Sequence, residues 1–322
     1  RWVLDRPNSY IGRSVPRPNA KRLLEGRGHF VDDIVLPRML NVVFVRSPYA
    51  HARILSIDTT ATQSYPGITA VVTGAQLAER HEPWVGVLKH LQGIVSPPQY
   101  AMAVEKACWQ GEAVVAILAK TRAEGEDAAE SVQIQWQELP VVADAKTALD
   151  PDTPVIHDSL ENNLCWERNF AAGDVDQAFE TAAVVVEETF DIGRHTGVTV
   201  EPRSIVADYQ PGEGKLTVYQ STQAPHMMQN VFAKHLGMNE GDVRVVTKDV
   251  GGSFGIKVHV YADEFAAVAL SKMFQRPVKF IADRLESFVT DIHARDHLVK
   301  ARMGVSKDGK IQALEFDDLT GI

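Results

Sequence analysis

The sequence has 322 residues, of which 45% are hydrophobic and 23% are charged, a composition typical of a folded globular protein with one large domain or two ordinary ones. A net charge of -9 argues against binding to a nucleic acid backbone or to an anionic membrane surface, because both attract basic proteins. Cys108 and Cys165 lack the spacing of an iron-sulfur or thiolate zinc site, and the sequence shows neither a membrane-spanning apolar run nor a secretory signal, so we expect a cytoplasmic protein that binds small molecules or other proteins.

Short strands and one α/β unit are predicted in the first half of the chain. Residues 40–62 contain β-branched strands interrupted by Ser and Pro, and residues 67–80 fit a strand followed by a helix. A continuous apolar run at 114–118 predicts a buried strand, and Thr121 can cap the helix that follows it. Residues 132–136 alternate apolar with polar side chains and predict another strand.

An acidic connection with two prolines, at residues 148–163, separates two predicted domains, 1–150 and 151–322. The second domain alternates helices with strands. One short helix is capped by Asp174, and a longer one ends at Gly237. The remaining predicted elements are strands at 184–186, 204–222, 243–250, 277–288 and 297–319, the last as a hairpin with its turn at 307–310, and a helix at 263–274 with acidic residues in its first turn and one apolar face.

A glycine-rich turn precedes that last helix. Gly251, Gly252 and Gly255 surround Ser253 and Phe254. Glycine in a turn often serves only a backbone that needs positive φ, and the local residues by themselves favour this interpretation. Alternatively, the missing Cβ atoms let a ligand approach backbone N–H groups, which can donate to phosphate, dithiolene or oxo groups. The pattern is neither GxGxxG nor GxxxxGK[ST], so it predicts neither a Rossmann nor a P-loop site.

Several polar side chains lie near predicted strand ends, namely His195, Glu201, Gln223 and His226. Most such histidines are surface or satisfied core residues, and no HxH or HExxH pair occurs, so we do not expect a metal held directly by protein ligands. Glu201 could act as a base, but a carboxylate beside Pro and Arg is more often part of a structural ion pair.

The order of several motifs is similar to that of one enzyme family. The first half contains Gly-x-x-x-Phe-x-Asp-Asp at 26–33 and Arg-Ser-Pro-x-Ala-His-Ala at 46–52, and the second contains Ser-Thr-Gln at 221–223 and the glycine turn at 251–255. In this order the chain resembles, nearly from end to end, the molybdenum-binding subunit of the xanthine oxidase family of molybdenum hydroxylases. The resemblance implies an α+β fold, with an N-terminal α/β hammerhead domain followed by the first half of a molybdopterin-binding domain.

The resemblance also implies the site residues. Gln223 would lie beside the molybdenum and donate to its apical oxo ligand, and the turn of Gly252, Ser253, Phe254 and Gly255 would pack its main chain against the metal–dithiolene group. Ser253 departs from the more common glycine. A second departure concerns the position after Lys257, where purine-oxidising relatives tend to have a glutamate and this chain has Val258. An apolar side chain cannot make those hydrogen bonds, so an aldehyde or another N-heterocycle is expected in place of xanthine.

The implied enzyme contains Mo-molybdopterin, usually in the cytosine dinucleotide form in bacteria, and takes its oxygen from water. Electrons pass to [2Fe-2S] clusters and FAD on partner subunits. The family's molybdenum subunit is more than twice as long, and the catalytic Glu belongs to its second half, so the resemblance places that residue on a second molybdenum-domain chain. The chain is then either a split subunit, as in nicotinate dehydrogenase, or a fragment. The alternatives are a structural assembly subunit without cofactor and a flavin or nicotinamide enzyme with a different loop.

Overall fold

The computed structural model describes residues 10–85 and 91–321. The start of the segment searched for a secretory signal therefore lies outside the described residues. The strands are β1 (Leu40–Arg46), β2 (Ala52–Asp58), β3 (Ile68–Thr73), β4 (Lys106–Ala107), β5 (Ala113–Ala119), β6 (Gln133–Glu138), β7 (Val184–Ile192), β8 (Ser204–Gln210), β9 (Lys215–Gln220), β10 (Val243–Val246), β11 (Val278–Ile281), β12 (His297–Val305) and β13 (Ile311–Thr320). The α-helices are α1 (Ala20–Leu24), α2 (Thr60–Gln63), α3 (Gly74–Ala78), α4 (Arg122–Ala129), α5 (Val175–Thr181), α6 (Pro225–His235), α7 (Ala262–Phe274) and α8 (Arg284–Thr290).

A seven-stranded mixed sheet in the order β10-β9-β8-β11-β1-β5-β3 forms the centre of the structure. It combines strands from both sides of residue 150, because β1 pairs in parallel with β11 through Leu40 and Val278. Strands from both predicted domains thus share one sheet, and the domain boundary near residue 150 stays a prediction. Two three-stranded sheets, β4-β2-β6 and β13-β12-β7, complete the described architecture.

The α/β unit predicted in the first half is confirmed. Every residue of β5 is buried, as expected for an apolar run covered on both faces. Thr121 caps α4, since its hydroxyl accepts from the Glu124 N–H at 3.3 Å while the Glu124 carboxylate accepts from the Thr121 N–H at 3.0 Å. Strand β6 then returns beside β2.

The helix predicted after the glycine turn is α7, but it is not amphipathic. All nine residues from Asp263 to Ser271 are buried, and its apolar side chains pack with those of α6 and the seven-stranded sheet in the main core. The two acidic residues of its first turn, Asp263 and Glu264, face buried polar partners. The sequence pattern predicted only one buried face. It could not show that Asp263 and Glu264 are buried as well, because their partners, Arg203 and Gln220, are distant in the sequence.

The strand predicted at 277–288 is wrong in its second half. Strand β11 ends at Ile281, and α8 begins at Arg284. Asp283 caps α8, because its carboxylate accepts from the Glu286 N–H at 2.7 Å and the Glu286 carboxylate accepts from the Asp283 N–H at 3.0 Å. The predicted hairpin at 297–319 is confirmed as β12 and β13. No helix within residues 10–85 and 91–321 is both long and apolar enough to cross a membrane.

Candidate cofactor-binding site

The glycine turn has a backbone that side chains rarely allow. Gly252, Phe254 and Gly255 have φ values of 102°, 49° and 92°. Phe254 is 76% exposed, although large aromatic side chains usually pack inside. A Cβ placed on Gly255 would meet no protein atom within 4 Å, so open space lies in front of this residue. The protein's own packing does not explain why this turn presents its backbone and an aromatic ring outward.

The N–H groups of the turn are available to a ligand. The Gly251 N–H donates to the Glu201 carboxylate at 2.7 Å, and the Ile256 N–H donates to the Ser253 carbonyl at 2.8 Å. Among the hydrogen bonds of the described residues, none is donated by the backbone N–H of the four residues between them, 252–255. Successive free N–H groups in a turn that combines residues of negative and positive φ form a concavity that suits acceptor atoms.

The Ser-Thr-Gln segment after β9 lies directly against this turn. The Gln223 N–H and the Thr222 hydroxyl both donate to the Lys257 carbonyl at 2.9 Å. The side chain of Gln223 is exposed and makes no hydrogen bond within the described residues. The structure therefore brings Gln223 together with residues 252–255, although the sequence separates them by some thirty positions.

Glu201 and Lys257 form a buried ion pair beneath the turn. Their charged atoms are 2.9 Å apart, and their side chains are 13% and 1% exposed. The Ser221 hydroxyl donates to the Glu201 carboxylate at 2.7 Å and accepts from Lys257 Nζ at 2.8 Å. Burial lowers the pKa of Lys257, and the hydrogen bond to Glu201 partly opposes that effect. A Cβ on Gly251 would lie 2.5 Å from Glu201 Cβ, so this glycine serves the close approach of the two segments.

The ion pair predicted for Glu201 is thus present, with Lys257 as its partner. Sequence reasoning did not find Lys257, and it gave no role to Arg203.

The Arg203 guanidinium is fully buried. It donates to both oxygens of Asp263 at 2.6 and 2.9 Å and to the Asp291 carboxylate at 2.6 Å. Burial acts to raise the pKa of Asp263, yet the charge and hydrogen bonds of Arg203 and Arg46 lower it overall. A buried arginine with two carboxylates fixes the start of β8 against α7 and α8.

Glu264 lies next to this cluster and connects it to the site. Its carboxylate accepts from Gln220 Nε2 at 2.6 Å, at the end of β9 and immediately before the Ser-Thr-Gln segment. Burial raises the pKa of Glu264 to about 7. Gln220 Oε1 is buried and has no donor within the described residues. A protonated Glu264 could donate to that amide oxygen after an amide flip.

The two histidines singled out from the sequence, His195 and His226, have exposed side chains. His195 takes part in a backbone bridge with Ala294. Within the part of the chain that the structure describes, no three His, Cys, Asp or Glu side chains are grouped as a metal site requires. Val258, the residue after Lys257, is half-buried at the end of the turn.

Comparisons with known proteins agree with this architecture. Residues 25–140 match the α/β hammerhead domain of aldehyde oxidase and xanthine dehydrogenase, and residues 156–321 match the molybdopterin cofactor-binding domain. The chain is 33% identical to the nicotine 6-hydroxylase large subunit of Paenarthrobacter nicotinovorans and 35% identical to the carbon monoxide dehydrogenase large chain of Hydrogenophaga pseudoflava, over 96% and 94% of its length. Quinoline 2-oxidoreductase from Pseudomonas putida 86 superposes over 96% of this chain with a TM-score of 0.91 and 34% identity.

The chain is much shorter than most of these proteins. It spans 38% and 39% of the two large chains and 39% of the quinoline enzyme chain. It spans 69% of the nicotinate dehydrogenase large molybdopterin subunit of Eubacterium barkeri, to which it is 28% identical. The molybdopterin cofactor-binding match alone includes more than half of the sequence. As the sequence resemblance predicted, the chain belongs to the xanthine oxidase family, that of aldehyde oxidase and xanthine dehydrogenase, as a hammerhead domain followed by a molybdopterin cofactor-binding domain.

Proposed function

We propose that this chain is the molybdopterin-binding subunit of a molybdenum hydroxylase that oxidises an N-heterocycle or an aldehyde with water as the source of oxygen. The observation that carries the proposal is the contact between the Ser-Thr-Gln segment and the glycine turn through the Lys257 carbonyl. It places one free amide side chain, Gln223, beside a row of free backbone N–H groups. Such a set of neutral donors suits a group rich in oxo and sulfur acceptors.

The residues present fit the cofactor on structural grounds. Gly255 faces open space with a φ of 92°, so its backbone can be approached where a side chain would intrude. The N–H groups of residues 252–255 would hold the cofactor, and the Gln223 amide would donate to its oxo ligand. When bound, the molybdenum–pterin group supplies the redox centre that accepts electrons from the substrate. The Glu201–Lys257 pair, buried beneath the turn, holds the donors in place.

The partners form a second part of the proposal. Cys108 and Cys165 are unpaired and far apart in sequence, so the [2Fe-2S] clusters and FAD are assigned to partner subunits. The cytoplasmic location rests on the same reduced cysteines. The catalytic Glu is assigned, from the sequence resemblance, to a second molybdenum-domain chain or, if the given sequence is a fragment, to the part in which the relatives extend beyond the aligned region. The cytosine dinucleotide form of the cofactor follows from the sequence resemblance.

The substrate class rests on Val258 and on the names of relatives. Val258 offers no hydrogen bond to a purine, whereas nicotine 6-hydroxylase and quinoline 2-oxidoreductase are named for other N-heterocycles. A panel of quinoline, nicotine, nicotinate, benzaldehyde, xanthine and carbon monoxide, with a dye as electron acceptor, tests the assignment. We expect turnover with a heterocycle or the aldehyde and none with xanthine. Turnover confined to xanthine or carbon monoxide contradicts it.

Metal and pterin analysis of the purified assembly tests the cofactor independently of the substrate. We expect close to one molybdenum and one pterin dinucleotide per chain. An assembly that contains its partner subunits but neither molybdenum nor pterin would show a structural assembly subunit instead. Tightly bound flavin or nicotinamide on this chain would indicate a flavin or nicotinamide enzyme instead.

A further inference from the structure

Tyr261 immediately precedes helix α7, and its hydroxyl group joins the end of the glycine turn to the segment that follows α8. The hydroxyl donates to the Ile256 carbonyl at 2.9 Å and accepts from the Ile292 N–H at 3.3 Å. Tyr261 is only 7% exposed. Burial is the main cause that raises the pKa of Tyr261 above its ordinary value, so the hydroxyl keeps its proton and stays a donor. The group therefore uses both its donor and its acceptor capacity to link the two segments.

Ile256, which receives this hydrogen bond, closes the glycine turn. Its N–H donates to the Ser253 carbonyl at 2.8 Å. Bonds at both the N–H and the carbonyl fix the two peptide planes that flank Ile256, because peptide groups are planar. The next carbonyl along the chain, that of Lys257, accepts from the Ser-Thr-Gln segment. Two consecutive carbonyl groups at the end of the turn are thus held from two sides, one of them by Tyr261.

The ring of Tyr261 is itself fixed by buried charges. The guanidinium carbon of Arg203 lies 3.8 Å from the ring centroid, a cation–π contact inside the protein. Arg203 is bonded in turn to Asp263 at the start of α7 and to Asp291, the residue before Ile292. The hydroxyl group therefore stays where the buried charge cluster places the ring, and it gives the glycine turn a fixed point of attachment.

We propose that Tyr261 is a positioning residue for the cofactor, because its hydroxyl holds the glycine turn in the shape that presents the N–H groups of residues 252–255 to a ligand. This role rests on the proposed function, since it needs a cofactor in front of the turn. Without the hydroxyl, the carbonyl of Ile256, a residue that is 3% exposed, loses a donor. A turn that is less ordered before binding retains its ligand less tightly, because binding must then restore the order.

Ser271, in the last part of α7, provides a matched control for a purely structural role. Its hydroxyl is buried, accepts from the Tyr209 N–H at 3.1 Å and donates to the Arg276 carbonyl at 2.8 Å. Ser271→Ala therefore removes a buried hydroxyl that joins a carbonyl to an N–H, as Tyr261→Phe does. The two hydroxyls differ in place, because Ser271 lies at the opposite end of α7 from the glycine turn.

Each variant is purified as the assembly with its partner subunits, and the loss of molybdenum during incubation at a fixed temperature is followed by plasma mass spectrometry. We expect both variants to lower the thermal midpoint. Only Tyr261→Phe should release molybdenum faster, by roughly tenfold, the factor that corresponds to one lost hydrogen bond. In the molecules that keep the metal, Tyr261→Phe should also change the electron paramagnetic resonance spectrum of Mo(V), because the donors around it have moved, whereas Ser271→Ala should leave that spectrum unchanged.

Hydrogen exchange of the Ile256 N–H reports on the turn itself and needs no cofactor. Tyr261→Phe should speed this exchange by roughly tenfold, and Ser271→Ala should not. A parent assembly without molybdenum would contradict the proposed function alone, and the exchange rates would then decide whether Tyr261 holds the turn. A parent assembly that contains molybdenum, with equal release rates in Tyr261→Phe and Ser271→Ala, would overturn the role of Tyr261 alone, and so would an unchanged exchange rate in Tyr261→Phe.

Discussion

The Lys257 ammonium group lies 2.9 Å from the Glu201 carboxylate, in a region from which water is almost excluded. The carbonyl of the same lysine accepts from the Thr222 hydroxyl and the Gln223 N–H, and the same carboxylate accepts from the Gly251 N–H. One ion pair therefore fixes both segments of the candidate site. A buried pair contributes little net stability compared with apolar side chains, but the loss of one partner is costly.

Glu201→Gln should destabilise the protein on the order of 3 kcal/mol, because it leaves the Lys257 ammonium buried without its counter-charge. The free energy of unfolding in urea measures the effect. Glu126→Gln is the control, since Glu126 pairs with Arg122 at 2.6 Å but is 50% exposed, and exposed pairs contribute about 0–1 kcal/mol.

Adding Lys257→Met to Glu201→Gln should recover a large part of the loss, since no charge is then left unpaired. If Glu201→Gln and Glu126→Gln lower the free energy of unfolding equally, the Glu201–Lys257 pair does not hold the site together. The double variant should also keep much of its cofactor, because the introduced amide oxygen can still accept from the Ser221 hydroxyl and the Gly251 N–H.

The elements with a continuous local signal were predictable from the sequence. The apolar run of β5, the cap at Thr121 and the β12–β13 turn depend on neighbouring residues, and the structure agrees with each of them. The helix α8 was mistaken for a strand because its capping box, Asp283 and Glu286, follows a true strand by only two residues. A search for that box would have found the helix.

The interior of the site was less predictable because its partners are distant in sequence. Arg203 is bonded to Asp263 and Asp291, sixty and eighty-eight positions away. Glu201 is fifty-six positions from Lys257. Nothing in the local pattern distinguishes these residues from surface charges, so only the fold identifies them. Gln223 and the turn were placed together from the family resemblance, and their roles toward the cofactor stay a prediction.

Gln223→Ala should slow turnover per bound molybdenum by roughly 10-fold to 150-fold, corresponding to a lost charge-assisted hydrogen bond of about 1.5–3 kcal/mol. Subunit assembly should be unchanged, because the backbone N–H of this residue, and not its exposed side chain, contacts Lys257. Gln210→Ala, at an exposed strand end, is the control. An unchanged turnover number at full molybdenum occupancy would refute the assignment.

Glu264→Gln should change how stability depends on pH. Burial raises the pKa of Glu264 from its ordinary value of 4.5 to about 7, so between these values the folded chain holds a proton that the unfolded chain has released. Stability therefore falls as pH rises through this window, and the loss is complete above about pH 7. The variant should be more stable than the parent by on the order of 3 kcal/mol at pH 8 and by little at pH 4.5.

Urea unfolding at the two pH values measures this difference. The amide introduced by Glu264→Gln would keep an oxygen that can accept from Gln220, so the variant retains the hydrogen bond without the charge. Replacement of the exposed Glu126 by Gln again serves as the control and should not alter the pH dependence in this window. A stability difference of the same size at pH 4.5 and pH 8 would show that Glu264 is not protonated in the folded chain.

Gly255→Val separates the two interpretations of the glycine turn. A β-branched side chain at a φ of 92° is strained wherever it occurs, at a cost of about 1–3 kcal/mol. Gly309, in the β12–β13 turn, has a φ of 79° and equally open surroundings, so Gly309→Val carries the same backbone penalty away from the site. If the cofactor occupies the space in front of Gly255, the two variants should lose similar stability, but only Gly255→Val should lose molybdenum.

Thermal midpoint and molybdenum content are measured on the same purified variants. We expect Gly309→Val to retain its metal and Gly255→Val to lose most of it, because the new side chain would occupy the position of the metal–dithiolene group. Gly255→Ala should show an intermediate loss, since a single methyl group intrudes less. If Gly255→Val lowers the midpoint as Gly309→Val does while the folded protein keeps full molybdenum, the glycine serves only the backbone of the turn, and the cofactor must lie elsewhere.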